Sequence, residues 1–245
     1  MQAVIAAIEY FLPPKVVSTA DLSREFPEWS VEKIDQKTGI QERHIAAQEE
    51  CSSDLAIKAA EKLFESGACE RQSIDFILLC TQSPDYFLPT TACVIQDRLG
   101  IPTTAGALDF NLGCSGYIYG LGLAQGLISS GQASNVLLIT AETYSKFIHP
   151  RDKRVRTIFG DAAAATLLKA VESEFPLIGP FIYGTDGRGE QNLIVPTGGM
   201  RHLRTQQTGI PASDEDGNVR SLDNLYMNGA EIFIVSLPPA KRGPG

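Results

Sequence analysis

Leu108-Asp109-Phe110-Asn111-Leu112-Gly113-Cys114-Ser115-Gly116-Tyr117 opens a mostly apolar run that ends at Ser130, and its reading decides the fold. An alternating apolar segment meets Gly-Cys-Ser-Gly and then a helical pattern, so Cys114 is expected on a sharp strand-to-helix corner. The thiolate is the reactive form of cysteine, and a helix N-terminus lowers its pKa through the partial positive charge of unpaired N–H groups. Gly113 and Gly116 permit a tight turn and a close backbone approach. The alternative is a buried cysteine packed on the helix, the commonest fate of an intracellular cysteine. Local chemistry leaves both open.

Working outward from the corner, Ala105 to Leu112 is expected as the strand entering it. Ile74 to Cys80 is a nearly unbroken apolar run, the mark of a strand buried on both faces, and Thr90 to Leu99 reads as a helix closed by Gly100. Val4 to Leu12 is a first strand, stopped by Pro13-Pro14. Val136 to Thr140 and Ala162 to Lys169 complete the strand set. Ser52-Ser53-Asp54 offers N-cap choices for a helix whose Leu55, Ala56, Ala59, Ala60, Leu63 and Phe64 share one face. Val31 to Lys37 is a short charged helix stopping at Gly39, with Ile40 to His44 as a polar connection. Alternation of strands and helices through residue 170 predicts an α/β layered domain with a largely parallel sheet. Gly116, Gly120, Gly122 and Gly126 each cost a helix about 1 kcal/mol against Ala, so something must approach that helix closely.

Beyond residue 170 the pattern changes. Leu177 to Tyr183 and Gln191 to Pro196 read as two strands joined by the Gly184–Gly189 turn region. Thr197 to Asp223 is a polar excursion, functional or mobile, and Leu225 to Leu237 begins a helix that breaks at Pro238-Pro239. Ala240 to Gly245 has no core-forming pattern.

The chain has 245 residues, 43% of them hydrophobic, enough for a real core. It lacks an apolar run of about 18 residues and a basic, cleavable start, so a soluble cytoplasmic protein with no membrane partner is expected. Five cysteines, at 51, 69, 80, 93 and 114, form no CxxC pair, which predicts reduced thiols and neither a disulfide framework nor a metal site. A net charge of −8 argues against nucleic acid. Small-molecule chemistry is the better expectation.

Three motifs then carry a resemblance. Thr38-Gly39-Ile40-x-Glu42-Arg43, Asp109-x-x-x-Gly113-Cys114-Ser115-Gly116 and Arg156-Thr157-Ile158-Phe159-Gly160-Asp161-Ala162-Ala163-Ala164-Ala165 stand in the order found in β-ketoacyl-[acyl carrier protein] synthase III. The chain resembles the first two-thirds of that family. The resemblance implies a thiolase-like layered α/β fold, built from two similar five-stranded halves, and a homodimer. Residues 1–172 would be the first half, complete and carrying the nucleophile; residues 173–245 would begin the second half, incomplete.

The resemblance also implies roles. Cys114 matches the nucleophile that takes an acyl group from acyl-CoA and passes it to a carbanion from malonyl-acyl carrier protein, its own N–H serving the oxyanion hole. Leu88 matches a residue reaching into the partner subunit's acyl pocket, with Phe87 the neighbouring alternative. Lys33 falls where other members stack a tryptophan on adenine, while Trp29 stands four residues earlier; Lys37 and Lys153 fall where others carry arginines on the nucleotide. The basic segment His149 to Arg156, with Arg151 and Lys153, is expected to meet CoA phosphate or the acidic carrier protein. No resident cofactor is implied, acyl-CoA being a substrate.

The family's Pro-His-Gln-Ala-Asn and Gly-Asn-Thr-Ser settings do not occur here, and His44, His149 and His202 match neither. The leading expectation is therefore a synthase III-type acyltransferase represented by an incomplete chain and impaired in condensation. Two other readings are a non-catalytic acyl-binding or partner subunit of a complete synthase, and a cysteine hydrolase using Cys114.

Overall fold

Apolar side chains fall on both faces of one five-stranded sheet, and that sets the layers. In a computed structural model describing residues 1–236, the strands are β1 (Gln2–Phe11), β2 (Phe76–Cys80), β3 (Gly106–Phe110), β4 (Asn135–Glu142) and β5 (Ala162–Val171). Their spatial order is β1-β5-β4-β2-β3. Ile77 and Leu79 of β2 join Leu137 and Ile139 of β4 in one apolar cluster, while Leu78, Val136 and Leu138 belong to another. Successive side chains of a strand point to opposite faces, so the sheet has a core on each side. Helices α1 (Ser52–Glu65) and α2 (Thr91–Leu99) supply the first core and α3 (Gly116–Ser129) the second.

The sheet is mixed, which corrects the expectation of a largely parallel one. β2 pairs in parallel with β3 and β4, but β4 with β5 and β1 with β5 are antiparallel. Parallel neighbours need a crossover connection; α2 and α3 provide two of them, whereas the chain leaving β4 returns to β5 at the same end of the sheet.

By contacts the chain forms two units: Met1–Val17, Arg43–Tyr144 and Gly160–Tyr183 make one, and Ser18–Glu42, Ser145–Phe159 and the described residues from Gly184 onward make the other. These interleave along the chain, whereas 1–172 and 173–245 are consecutive segments.

Several local expectations change. Ile40 to His44 is not all connection, because Glu42–Ile45 is a short strand. Asp161 holds its backbone: the Asp161 N–H donates to the His44 carbonyl at 2.7 Å and its carboxylate accepts from the Ala46 N–H at 2.8 Å. Leu177 to Tyr183 is not a strand. Gly179 has φ 110° and Pro180 lacks an N–H, so the segment cannot run as a regular ladder. It lies on α3 instead, with Ile178 and Phe181 in the second core and the Tyr183 ring 4.7 Å from that of Tyr119. The close approach expected of the glycines of α3 holds at Gly120 and Gly122 but not at Gly126: a Cβ on Gly120 would lie 2.5 Å from Leu138 and one on Gly122 would meet the Tyr183 hydroxyl, whereas nothing lies within 4 Å of a Cβ on Gly126. Ile118 and Leu123 remain exposed.

In the second unit, only Leu193–Ile194 of the Gln191–Pro196 expectation is strand, paired with Tyr226–Met227. That pairing delays the following helix from Leu225 to Gly229–Ser236; its expected break at Pro238-Pro239 and the 240–245 tail lie outside the described residues. The polar excursion has an internal frame. The Asp214 carboxylate accepts the Asn218 N–H at 2.9 Å and the Arg220 guanidinium at 3.1 Å, beside a ladder of Ala212–Ser213 on Val219–Arg220.

Candidate active site

Cys114 stands just past β3, exposed, in the turn before α3. Ser115 is the N-cap of that helix and Gly116 its first residue, so the thiol precedes the cap rather than sitting in the first turn. The Gly116 N–H closes the turn on the Gly113 carbonyl at 2.8 Å. Segment 80–83, leaving β2, backs this corner. The Thr81 N–H donates to the Phe110 carbonyl at 3.2 Å, and the Cys80 thiol to the Leu112 carbonyl at 3.0 Å. Burial pushes the Cys80 thiol up to about 11, so it stays protonated.

Buried polar groups lie behind segment 80–83. Glu142, the last residue of β4, accepts the Gln82 N–H at 2.7 Å and the Ser83 hydroxyl at 2.6 Å. Burial is the first cause raising its carboxyl to about 7, against those hydrogen bonds, with the Asp161 charge adding to the rise. The Tyr144 hydroxyl donates to the Gln82 side-chain oxygen at 3.2 Å. Burial, then the charges of Glu142 and Cys114, push the tyrosine up to about 12.

The loop after Ser83 carries Phe87 and Leu88, 78% and 86% exposed. It ends where α2 begins, and Asp109 of β3 caps that helix. Among the described residues, no hydrogen bond links a histidine to the thiol. The His44 Nδ1–H donates to the Pro13 carbonyl at 2.6 Å, His149 Nδ1 accepts from the Arg151 N–H at 3.1 Å, and His202 is exposed.

The second unit holds a cavity of about 700 Å³. Its basic wall follows in part from helix periodicity: Lys33 and Lys37 stand one turn apart on the Val31–Thr38 helix, N-capped by Ser30 and ended by Gly39 at φ 65°, and Trp29 lies just before the cap. The Lys33 and Lys37 ammonium groups lie 5.0 and 5.1 Å from the Trp29 ring centroid. Lys153 and Arg154 line the cavity too. Lys153 is buried and paired with Glu28 at 2.6 Å, and that ammonium holds the Glu28 carboxyl below the usual carboxylate range. Arg154 pairs with Asp216. Of the four basic candidates, the structure gathers Lys33, Lys37 and Lys153 on one cavity and leaves Arg151 exposed, outside its lining. Trp29 is in the lining despite its offset in the motif. It precedes the helix cap, so no helical spacing marked it, and Arg154, Asp216 and Asn218 likewise reach the cavity only through the fold.

Comparison with known proteins decides the family. A crystal structure of 3-oxoacyl-(acyl-carrier-protein) synthase III superposes with a TM-score of 0.94 at 54% identity, covering 96% of this chain and 70% of that one. The chain belongs to the β-ketoacyl-[acyl-carrier-protein] synthase III family. The family model for 3-oxoacyl-[acyl-carrier-protein] synthase III matches residues 108–187, which include the Cys114 corner. The synthase III of Caldanaerobacter subterraneus is 38% identical over 223 residues, 91% of this chain and 64% of that protein. A Burkholderia xenovorans 3-oxoacyl-(acyl-carrier protein) synthase structure gives a TM-score of 0.83 at 36% identity, covering 96% and 65%. This synthase III chain thus has the thiolase-like α/β fold implied by its motifs, and it spans a little under two-thirds of the Caldanaerobacter relative.

Among the described residues no helix is long and apolar enough to cross a membrane, and no three His, Cys, Asp or Glu side chains gather as a metal site.

Proposed function

We propose that this chain is an acyltransferase of the synthase III type, with Cys114 as the nucleophile. The exposed thiol in a turn held between β3 and α3, within the matched residues 108–187, carries the proposal. The Cys114 thiolate attacks the carbonyl carbon of an acyl-CoA; the carbon–sulfur bond to CoA breaks, CoA leaves as its thiolate, and the acyl group stays on Cys114. In the second step the carbanion left by decarboxylation of a malonyl-acyl carrier protein attacks that acyl carbon and Cys114 is released. No resident cofactor or metal is needed.

Lys33, Lys37 and Lys153, with Trp29, are the residues proposed for the CoA nucleotide, and Arg151 for phosphate or carrier-protein charge. Phe87 and Leu88 are proposed to complete a partner subunit's acyl pocket in a homodimer. The exposed apolar loop supports this, as does the edge position of β3, a strand open to pairing on one side. Residues 1–172 would act as one half of the fold and 173–245 as the start of the other, in a cytoplasmic protein. The family's His and Asn settings are missing from the 245 residues, so acylation is expected of this chain and condensation little or not at all.

Incubation with acetyl-CoA or a longer acyl-CoA, followed by intact mass, tests the reading. An adduct lost in Cys114→Ala is expected; its absence from the native chain overturns acylation. Without an adduct, a stable mixed complex with a longer family member would favour the partner-subunit reading.

A further inference from the structure

We propose that Gln82 is a positioning residue for the nucleophile corner. Its side-chain oxygen is clamped between the Tyr144 hydroxyl and the space over Gly113, and this fixes the backbone from which Cys114 projects. The inference rests on the acyl-transfer reading of Cys114.

The side chain at 82 is constrained from three directions. Its backbone is pinned from behind, the Gln82 N–H donating to Glu142 at 2.7 Å while the next residue, Ser83, donates its hydroxyl to the same carboxylate at 2.6 Å. Ser83 is fixed in turn by the Thr143 N–H at 2.9 Å and the Ser52 hydroxyl at 2.8 Å. The far end of the amide accepts from Tyr144 at 3.2 Å. In front, an ideal Cβ on Gly113 would lie 2.8 Å from the Gln82 side-chain oxygen, too close for both to keep their places. A side chain thirty-one positions upstream thus occupies the Cβ space of the residue before the nucleophile, and a Cβ there would have to displace it from the Tyr144 hydroxyl.

The neutrality of the clamp matters. Tyr144 is held protonated and the Gln82 amide is neutral, so the two groups of the clamp bring no charge of their own against a thiolate, while the Glu142 carboxyl stands behind the Gln82 and Ser83 backbone. Gln82 reaches Gly113 as an amide; a carboxylate there would raise the thiol pKa.

Acyl transfer needs its attacking atom placed to within about an ångström, and a misplacement of that size costs on the order of a hundredfold. A small alkylating reagent needs only an accessible thiolate. The test measures both on Cys114 by intact mass, acylation by acetyl-CoA and alkylation by iodoacetamide, in Gln82→Ala, Gln82→Glu, Gly113→Ala and the Gly113→Ala/Gln82→Ala pair. Gln82→Ala is expected to slow acylation by about tenfold or more while alkylation changes little. Gln82→Glu should move the alkylation pH profile to higher pH. Gly113→Ala should slow both reactions, and adding Gln82→Ala should restore alkylation, since the clash has lost its partner. Acylation unchanged in Gln82→Ala, or Gly113→Ala equally impaired with and without Gln82, overturns the proposal. The alkylation arm reads the coupling even if the native chain takes no acyl group, so failure of acyl transfer and failure of the clamp are separate results.

Discussion

The Asp109 carboxylate of β3 accepts the Thr91 N–H at 2.7 Å and, through its other oxygen, the Ala92 N–H at 2.7 Å. Thr90, the N-cap of α2, makes no capping hydrogen bond with its own side chain, so a strand residue five positions before Cys114 caps the helix that follows the Phe87-Leu88 loop. Removing the carboxylate leaves two N–H groups of a buried first turn without partners. Asp109→Ala is expected to cost about 1–3 kcal/mol in urea denaturation and Asp109→Asn less, since the amide keeps one acceptor.

Glu142 makes stability depend on pH. Its carboxyl titrates near 4.5 in a reference state and near 7 in the fold, so the folded chain binds the proton more tightly. Stability is then fully present below about 4.5 and is lost as pH rises through 7, by about 3 kcal/mol over the window. Glu142→Gln still accepts from the Gln82 N–H without a charge to desolvate, and should flatten this part of the profile. Thermal melts of both proteins from pH 5 to pH 8 check the sign; parallel curves would refute it.

Two glycines of α3, two positions apart, should respond differently to alanine. Gly120 faces Leu138, which is fully buried, so Gly120→Ala overpacks the second core and should cost about 1–3 kcal/mol. Gly122 faces the hydroxyl tip of half-exposed Tyr183, which can swing away, and helix propensity returns up to about 1 kcal/mol. Gly122→Ala is expected to be nearly neutral in the same denaturation experiment.

Cavity lysines should separate by role. Lys153 is buried against Glu28, so Lys153→Ala is expected to lower stability by about 1 kcal/mol as well as CoA binding. Lys33 and Lys37 lie over the Trp29 ring; replacing either with alanine should weaken CoA binding several-fold, more at low salt, with the melting temperature nearly unchanged. Calorimetric titration with CoA, beside thermal melts, distinguishes the two.

Much of the first unit was legible in the chain because its signals are local. Ile77, Leu78 and Leu79 are buried on both faces of β2, as an unbroken apolar run requires, and the Gly100 stop after Leu99 is a left-handed cap at φ 65°. Strand direction was not legible, because β4 and β5 read alike whichever way they pair. Leu177 to Tyr183 misled because its apolar residues cover a helix, and apolarity alone does not name the partner. Within the candidate site, the corner alone left Cys114 open between a reactive and a buried thiol and the ordered motifs singled it out, while nothing near it pointed to Gln82 or Tyr144.

The chain by itself determined the five strands of the main sheet and the three helices packed on it, the Gly113-Cys114-Ser115-Gly116 corner and the family to which the protein belongs, since each is written in residues close together or in ordered motifs. Tertiary structure alone decided that the sheet is mixed, that Trp29 joins Lys33, Lys37 and Lys153 on one cavity, and that the Gln82 side chain reaches the space over Gly113. The physical reason is distance along the chain. Periodicity and capping act over a few residues, whereas a contact between residues 82, 113 and 144 exists only once β2, β3 and β4 lie side by side.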